Sequence, residues 1–316
     1  MSANAHILVP STTIKWKASI KEYQTYLRLE KSLSKNSIAA YGRDLLKLSN
    51  FSAHEDFNKT PTEITADDLS NFILTLVDLQ LESRSQARLI STIRGFYTFL
   101  FIQNLIEQSP AERLEAPRLA KKIPEYLTEI EINELFDTID LSTQSGHRDR
   151  AIFETLYACG LRVSELTSLK ISNLDLDNEI IKVVGKGNRE RLVPINLSAI
   201  HYIRLYLSDF RKHQKVSTKG EDVLFLNLRG GPLSRISIFN LVKKASAEIG
   251  LKKNISPHTF RHSFATHLYQ RGADLRAIQD MLGHRSILTT EIYAHASPIH
   301  LKKTMELYHP RFQTNE

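Results

Sequence analysis

Cysteine is almost absent from this chain of 316 residues, which has Cys159 as its single thiol. One cysteine cannot form an intramolecular disulfide, so the hydrophobic core and the polar contacts must stabilise the fold. Such low cysteine usage is typical of a reducing compartment, and we predict a cytoplasmic protein. Cys159 itself is predicted to fill space in the core rather than to act as a nucleophile.

Long apolar runs are missing as well. No run of about 18 apolar residues occurs, so we predict no membrane insertion. The first residues, MSANAHILVPST, lack the charged start and the apolar centre of a secretory signal peptide. Hydrophobic residues still make up 41% of the chain, which favours a globular protein with a substantial core over a disordered one.

Acidic residues are fewer than basic ones, with 35 Asp and Glu against 42 Lys and Arg, giving a net charge of +7. Most of this excess lies after residue 110. A basic chain favours a nucleic-acid partner, but many enzymes and ribosomal proteins are also basic. Charge alone therefore leaves the class of partner open.

Apolar residues recur at intervals of three and four through residues 1–110, which predicts a domain of four helices. Thr65, followed three residues later by Asp68, is typical of a capping box at the start of the third helix. Short connections between the helices predict an antiparallel bundle. The four periodic stretches cover residues 16–27, 41–48, 69–76 and 89–105.

A change of composition divides the chain after this bundle. The stretch SPAERLEAPRLAKKIP contains three prolines and little periodicity, so we predict a linker over residues 111–124. The second domain is predicted to span residues 125–316 and to open on a capping box formed by Thr128 and Glu131. Its helical stretches cover residues 236–249, 259–270, 275–282 and 299–308.

One segment of the second domain has a different pattern. In EIIKVVGKGNRERLVPIN, β-branched residues stand on both sides of GKGN, which predicts a β-hairpin with glycines in its turn. The predicted fold class is therefore mainly α with a small β-hairpin or sheet.

Three histidines fall within the short stretch SPHTFRHSFATHL. His258 and His262 stand four residues apart, a helical spacing that can hold a metal ion. However, Thr259 occupies the position at which a zinc hydrolase carries its glutamate base, and Arg261 adds a permanent positive charge. An arginine three residues after a histidine reaches the same region and suits an anion such as phosphate. We predict no metal site, and a zinc hydrolase remains the alternative.

Other motifs contain polar residues that could carry chemistry, and each has an ordinary structural interpretation. Arg162 and Glu165 in CGLRVSEL could form a surface salt bridge. Lys186 could be an exposed lysine in the hairpin turn. His284 in MLGHRS could cap a helix, and Tyr293 in TTEIYAH could be a buried tyrosine. Taken singly, these motifs do not identify a function.

Taken in order, the motifs resemble the active-site pattern of the tyrosine recombinase family, also called the phage integrase family. The pattern is R-x-x-E-L, a hairpin lysine, H-x-x-R, L-G-H and a tyrosine nine residues later. The bundle, including SLSKNSIAAYGRDL, is similar to the family's core-binding domain, and the second domain is similar to its catalytic domain. SPHTFRHSFATHL, GADLRAIQDMLGH and the final YHPR resemble the Xer branch, on its XerD-like side.

The resemblance implies an enzyme that cuts and rejoins DNA through a 3′-phosphotyrosyl bond, without a metal or another cofactor. It makes Tyr293 the nucleophile, Lys186 the general acid and His258 the general base or proton shuttle. The implied supporting residues are Glu165 and His262. The implied catalytic set is Arg162, Lys186, His258, Arg261, His284 and Tyr293, in which both arginines and His284 bind the phosphate.

The resemblance also implies that both domains clamp a DNA duplex, although a solvated surface is the alternative for the charges of the bundle. The implied assembly is a homo- or hetero-tetramer with a second Xer-type recombinase on two double-stranded recombination sites. The C-terminal tail SPIHLKKTMELYHPRF would dock into a neighbouring subunit, with packing on its own domain as the alternative. A septal DNA translocase would control the complex. The implied DNA-binding residues are Lys35, Arg43, Arg84, Arg88 and Arg94.

The implied cellular role is the resolution of chromosome or plasmid dimers at cell division. An integrase of a phage or mobile element would use the same chemistry. Many such integrases have an additional N-terminal domain, for which a first helix near residue 14 leaves no room. A type IB topoisomerase would share the nucleophile and act as a monomer. A DNA-binding protein without catalysis would not need the complete set of six residues.

Overall fold

The computed structural model describes residues 11–53, 58–117, 125–185, 188–283 and 298–312. The chain divides into two compact units, of which the first ends at Lys122. Each unit has a hydrophobic core of its own. Within the described ranges, no helix has both the length and the apolar composition needed to cross a membrane.

The first unit contains the four predicted helices. Trp16 is fully buried and stacks on Phe96, while its Nε1–H donates to the carbonyl of Lys59 at 3.0 Å. The predicted capping box of Thr65 and Asp68 is confirmed. The helices are α1 (Ser11–Leu29), α2 (Lys35–Ser52), α3 (Ala66–Asp78) and α4 (Ser83–Ile102), so the last ends three residues before the predicted end.

A buried carboxylate joins two of these helices. Asp44 on α2 is 1% exposed. Arg88 on α4 donates to both of its oxygens, through Nε at 2.9 Å and Nη2 at 3.0 Å. Such a bidentate contact is the strongest pairing that an arginine makes with a carboxylate. Arg88, which the resemblance assigns to DNA, therefore has a structural partner inside the protein.

The stretch predicted as a linker belongs in part to the first unit. Ala111 and Leu114 are buried in its core, and the backbone N–H of Ala111 donates to Ser109 Oγ at 3.3 Å. These two apolar residues, three apart, hold the turn against the core. Because they stand among prolines and charged residues, the sequence shows no hydrophobic periodicity here. Residues 118–124 lie outside the described ranges.

The second unit is mainly helical around a three-stranded antiparallel sheet, so the predicted fold class is confirmed. The hairpin of β2 and β3 was predicted, whereas the two residues of β1 are too few to show a pattern. The strands are β1 (Leu174–Asp175), β2 (Ile180–Val184) and β3 (Glu190–Pro194), paired in the order β1-β2-β3. The helices are α5 (Glu129–Asp137), α6 (Gln144–Cys159), α7 (Val163–Thr167), α8 (Leu197–Leu205), α9 (Arg235–Glu248), α10 (Pro257–Gln270), α11 (Leu275–Leu282) and α12 (Pro298–Tyr308).

Helix α6 runs through the core of the second unit, and residues 151–161 are all buried. Cys159 lies among them with no exposed surface, and burial raises the pKa of its thiol above the ordinary value. An inaccessible, protonated thiol is a poor nucleophile, which agrees with the predicted core-filling role.

The C-terminal segment packs on its own unit. Leu301 and Met305 of α12 are buried, and His309 has no exposed surface. Arg311 donates to the fully buried carboxylate of Glu154 at 2.7 Å. Part of the tail that the resemblance places in a neighbouring subunit therefore packs within this chain.

The burial of His309 predicts an acid-sensitive second unit. Burial lowers the pKa of His309 to about 3, with nearby positive charges acting in the same direction. The unfolded imidazole takes up a proton near pH 6.5, whereas the folded one stays neutral. The free energy of unfolding should therefore fall as the pH drops from about 6.5, by about 1.4 kcal/mol per pH unit from this group.

The measurement is urea unfolding followed by far-UV circular dichroism at about pH 7.5 and pH 5, with Trp16 fluorescence identifying the transition of the first unit. His309→Phe should reduce the acid-induced loss by about 2 kcal/mol. Phe312→Leu is the matched control, because Phe312 packs edge-on against His309 but cannot titrate. An unchanged pH dependence in His309→Phe would contradict this account.

Candidate active site

A tight turn after α6 sets the position of Arg162. Gly160 ends the helix in the left-handed conformation, with φ of 55°. A Cβ at Gly160 would lie 2.6 Å from Cδ1 of Phe264, closer than real carbon contacts. Glycine is therefore required here for its conformation and for its size. The turn allows Arg162, two residues later, to become the N-cap of α7.

Glu165 lies in the first turn of α7 and is buried. Its carboxylate accepts hydrogen bonds from the backbone N–H of Arg162 and from Arg162 Nη1, both at 2.8 Å. It also accepts from Nη1 and Nη2 of Arg191, both at 2.9 Å. Burial by itself would raise the pKa of Glu165, but the hydrogen bonds from Arg191 and Arg162 hold the pKa below its ordinary value. The carboxylate is therefore ionised.

Arg261 reaches the same carboxylate from α10. Its side chain is buried, and its Nη1 lies 3.8 Å from Glu165 Oε2. Nη1 donates to the carbonyl of Gly160 at 2.8 Å, and Nη2 donates to the carbonyl of Leu282 at 2.6 Å. Burial, followed by the positive charge of Arg162, lowers the pKa of Arg261 to about 10. The guanidinium remains protonated at neutral pH.

Folding thus brings two arginines that are distant in sequence to one buried carboxylate. With Arg191, three positive charges lie within 4 Å of the single negative charge of Glu165. Each guanidinium has five N–H groups, more than these contacts use. The side chain of Arg162 is 33% exposed, so solvent and ligands can reach it. A cluster with excess positive charge and unused N–H groups can bind a phosphate.

Arg191 was not predicted from the sequence. It stands on β3 opposite Val183 of β2. The next pair on the same face of the sheet, Ile181 of β2 and Val193 of β3, is buried. Side chains alternate between the two faces of a strand, so Arg191 occupies an inward position. An arginine at an inward position of an otherwise apolar strand face is the signal that could have revealed it.

The three histidines of α10 do not form one site, although His262 and His267 both lie edge-on to the ring of Tyr126. His258 lies in the first turn and is exposed, one turn before Arg261. His262 is half-buried, with its ring edge-on to Tyr126 at 6.5 Å. His267 is buried and shares a hydrogen bond of 2.8 Å with the hydroxyl of Tyr157. Among the described residues, no three His, Cys, Asp or Glu side chains converge as a metal site requires.

Three predicted catalytic residues, Lys186, His284 and Tyr293, lie outside the described residues. The glycines that precede the first two are described, and both lie beside the arginine cluster. A Cβ on Gly185 would be 3.5 Å from Glu165 Oε1, and a Cβ on Gly283 would be 3.2 Å from Cδ of Arg191. The chain therefore passes the cluster immediately before Lys186 and immediately before His284.

The five predicted DNA-binding residues are exposed on the first unit. Arg84 and Arg88 lie one turn apart on α4, whereas Arg94 lies about 120° around the helix from Arg88. The three arginines of α4 therefore do not form a single stripe. The full set is Lys35, Arg43, Arg84, Arg88 and Arg94.

Two family profiles match the chain. The phage integrase family matches residues 125–300, and the N-terminal SAM-like domain of phage integrases matches residues 20–104. Tyrosine recombinase XerD of Chlorobaculum tepidum is 42% identical over 306 residues, covering 96% of this chain and 100% of that protein. Tyrosine recombinase XerD of Staphylococcus haemolyticus is 40% identical over 297 residues, covering 92% and 98%.

Solved structures of recombinases share the fold. The pre-cleavage complex of XerH recombinase with its difH substrate aligns with a TM-score of 0.69 at 23% identity, covering 88% of this chain and 92% of that one. The post-cleavage complex of XerH with a palindromic difH substrate aligns with a TM-score of 0.70, covering 95% and 97%. Together with the family profiles and the relatives at about 40% identity, these findings show that this chain belongs to the tyrosine recombinase family and is a site-specific recombinase.

Proposed function

We propose that Tyr293 attacks a backbone phosphate of double-stranded DNA. The tyrosine oxygen forms a bond to phosphorus while the bond to the 5′ oxygen breaks, leaving a 3′-phosphotyrosyl ester and a 5′-hydroxyl. The energy of the broken bond is kept in the ester, so a new 5′-hydroxyl can rejoin the strand without ATP. The observation that supports this proposal most is the pair of arginines, Arg162 and Arg261, gathered around Glu165.

The arginine pair suits the charge that develops during the reaction. Attack on a phosphate concentrates negative charge on its non-bridging oxygens. Arg162 and Arg261 would hold these oxygens with N–H groups already fixed in place by Glu165 and by backbone carbonyls. His284 would add a further hydrogen bond. Removing one such preorganised donor typically slows a reaction about 100- to 1000-fold.

Two proton transfers complete the proposed step. His258, exposed at the start of α10, would accept the proton of the Tyr293 hydroxyl. Lys186, which follows Gly185 at the hairpin turn, would give a proton to the leaving 5′ oxygen. A well-placed general acid or base typically contributes about 100- to 10,000-fold. Glu165 would orient Arg162, and His262 would support α10 by packing on Tyr126.

The nucleophile can be identified with a suicide duplex that carries the host's recombination site and a nick beside the scissile phosphate. Wild-type protein should become covalently attached to the 3′ end, because the cleaved fragment with its 5′-hydroxyl diffuses away. Tyr293→Phe should form no adduct on a denaturing gel. Tyr269→Phe is the matched control, since Tyr269 is 62% exposed on α10 and should not be needed. An adduct with Tyr293→Phe means that another residue is the nucleophile.

We propose further that both units contact the DNA backbone. Lys35, Arg43, Arg84 and Arg94 are exposed and would pair with phosphates. Arg88 differs from them because it holds the buried carboxylate of Asp44. The proposed location of the enzyme is the cytoplasm.

The backbone contacts predict a change in the salt dependence of DNA binding. Arg43→Ala should weaken binding and reduce the slope of log K against log salt by about 1, as expected for one lost phosphate contact. Fluorescence anisotropy over a range of NaCl concentrations measures this slope. If it stays at the wild-type value, Arg43 belongs to a solvated surface.

Arg88→Ala provides a contrast to Arg43→Ala. It leaves the buried Asp44 carboxylate without its two-pronged partner, so the first unit should lose about 1–3 kcal/mol of stability. Trp16 fluorescence during urea unfolding measures this loss. A stability equal to that of Arg43→Ala would contradict the structural role of Arg88.

The proposed working assembly is a homo- or hetero-tetramer with a second Xer-type recombinase on two recombination sites. The proposed role is the resolution of chromosome or plasmid dimers at cell division, under the control of a septal DNA translocase. Support comes from relatives named tyrosine recombinase XerD that match over nearly their whole length. A recombination assay on plasmid dimers tests the role, because an integrase would instead join the sites of a mobile element.

A further inference from the structure

Arg191 is not part of the predicted catalytic set, yet it makes several contacts in the active-site cluster. Its guanidinium holds both oxygens of Glu165 at 2.9 Å, and its Nε donates to the carbonyl of Met281 at 2.7 Å. Only 13% of its side chain is exposed. One side chain on β3 thus connects the strand, the buried carboxylate on α7 and the end of α11.

The end of α11 presents three successive carbonyls to three different arginines. Arg191 donates to Met281 at 2.7 Å, and Arg261 donates to Leu282 at 2.6 Å. Arg162 Nη2 approaches the next carbonyl, that of Gly283, at 3.5 Å. The last carbonyls of a helix lack partners within it and form the negative end of its dipole. The arginines are therefore held between these carbonyls on one side and Glu165 on the other.

The three arginines differ in how closely they contact Glu165. Arg191 donates from both terminal nitrogens to Glu165, and its side chain is only 13% exposed. Arg162 uses one terminal nitrogen on Glu165 and remains 33% exposed. Arg261 stays 3.8 Å from the carboxylate. Arg191 therefore satisfies much of the negative charge of Glu165, which would otherwise compete with a phosphate for Arg162 and Arg261.

We infer that Arg191 is a positioning residue for strand cleavage, which binds Glu165 so that Arg162 and Arg261 can hold the scissile phosphate. This inference rests on the proposed roles of these two arginines. Arg191 touches no reacting atom and acts through Glu165. Without it, the cluster would have two positive charges beside Glu165 instead of three. The carboxylate would then draw the remaining guanidinium groups away from the DNA.

The test compares cleavage of two suicide duplexes by Arg191→Gln. One has the natural phosphate, and the other has a methylphosphonate, in which a methyl group replaces one charged non-bridging oxygen. Arg191→Gln should cleave the phosphate about 10- to 100-fold more slowly than wild type in single turnover, which is less than the loss of a direct donor. On the neutral methylphosphonate the deficit should shrink to about threefold or less, because less charge has to be held.

A purely structural role gives a different result. Disordered packing would slow both substrates by the same factor, and that outcome would overturn the proposal, as would an unchanged rate on the phosphate. Arg204→Gln is the matched control, because Arg204 is exposed on α8 and pairs with the exposed Asp177. Its rates should equal those of wild type on both duplexes. Circular dichroism establishes that each variant is folded at the assay temperature.

A second variant removes the competing carboxylate. If the defect arises because the charge of Glu165 has lost its partner Arg191, removing that charge should relieve it. The double variant Arg191→Gln/Glu165→Gln should then slow cleavage by less than the product of the two single effects. If the rate reductions of the two single variants simply multiply in the double variant, the proposal is overturned, even if Arg191→Gln alone is partly unfolded. Failure of the wild-type protein to form any adduct would instead reject the proposed nucleophile chemistry, so the two failures are distinguishable.

Discussion

A carboxylate inside a protein stays ionised only when positive or hydrogen-bonding groups replace the water that it has lost. Glu165 meets this condition with hydrogen bonds from Arg162 and Arg191 and with Arg261 at 3.8 Å. Its partners come from the start of α7, from β3 and from α10, elements that are distant in the sequence. Each guanidinium also contacts a backbone carbonyl at the C-terminal end of α6 or α11. One buried charge therefore fixes the mutual position of all these elements.

The same arrangement explains why the cluster suits a phosphate. Three guanidinium groups share one carboxylate, so positive charge remains for an anion. The N–H groups are fixed before the ligand arrives, which lowers the cost of reorganisation during the reaction. Gly160 is essential to this geometry, because its left-handed turn directs Arg162 to the site and its carbonyl holds Arg261. Covalent catalysis by a tyrosine needs such a site, since the attacked phosphate is already negative.

Much of this architecture could be predicted from the sequence, and the exceptions have physical causes. The capping boxes at Thr65 and Thr128 and the β2–β3 hairpin depend on local chemistry, so short patterns reveal them. The family pattern named Arg162 and Arg261 together. Arg191 was missed because its partners, Glu165 and the end of α11, are supplied by folding rather than by neighbours in the chain. The packing of Ala111 and Leu114 on the first core was missed because two apolar residues among prolines and charges show no period.

Arg261, although buried and hydrogen-bonded to two carbonyls, is proposed to hold a non-bridging oxygen of the scissile phosphate. The most direct measurement is the single-turnover cleavage rate of Arg261→Ala on a phosphate duplex and on each stereoisomer of the methylphosphonate duplex. We expect a loss of about 100- to 1000-fold on the phosphate and near wild-type cleavage of one stereoisomer. An equal loss on all three duplexes would show that Arg261 maintains the fold and does not bind the phosphate.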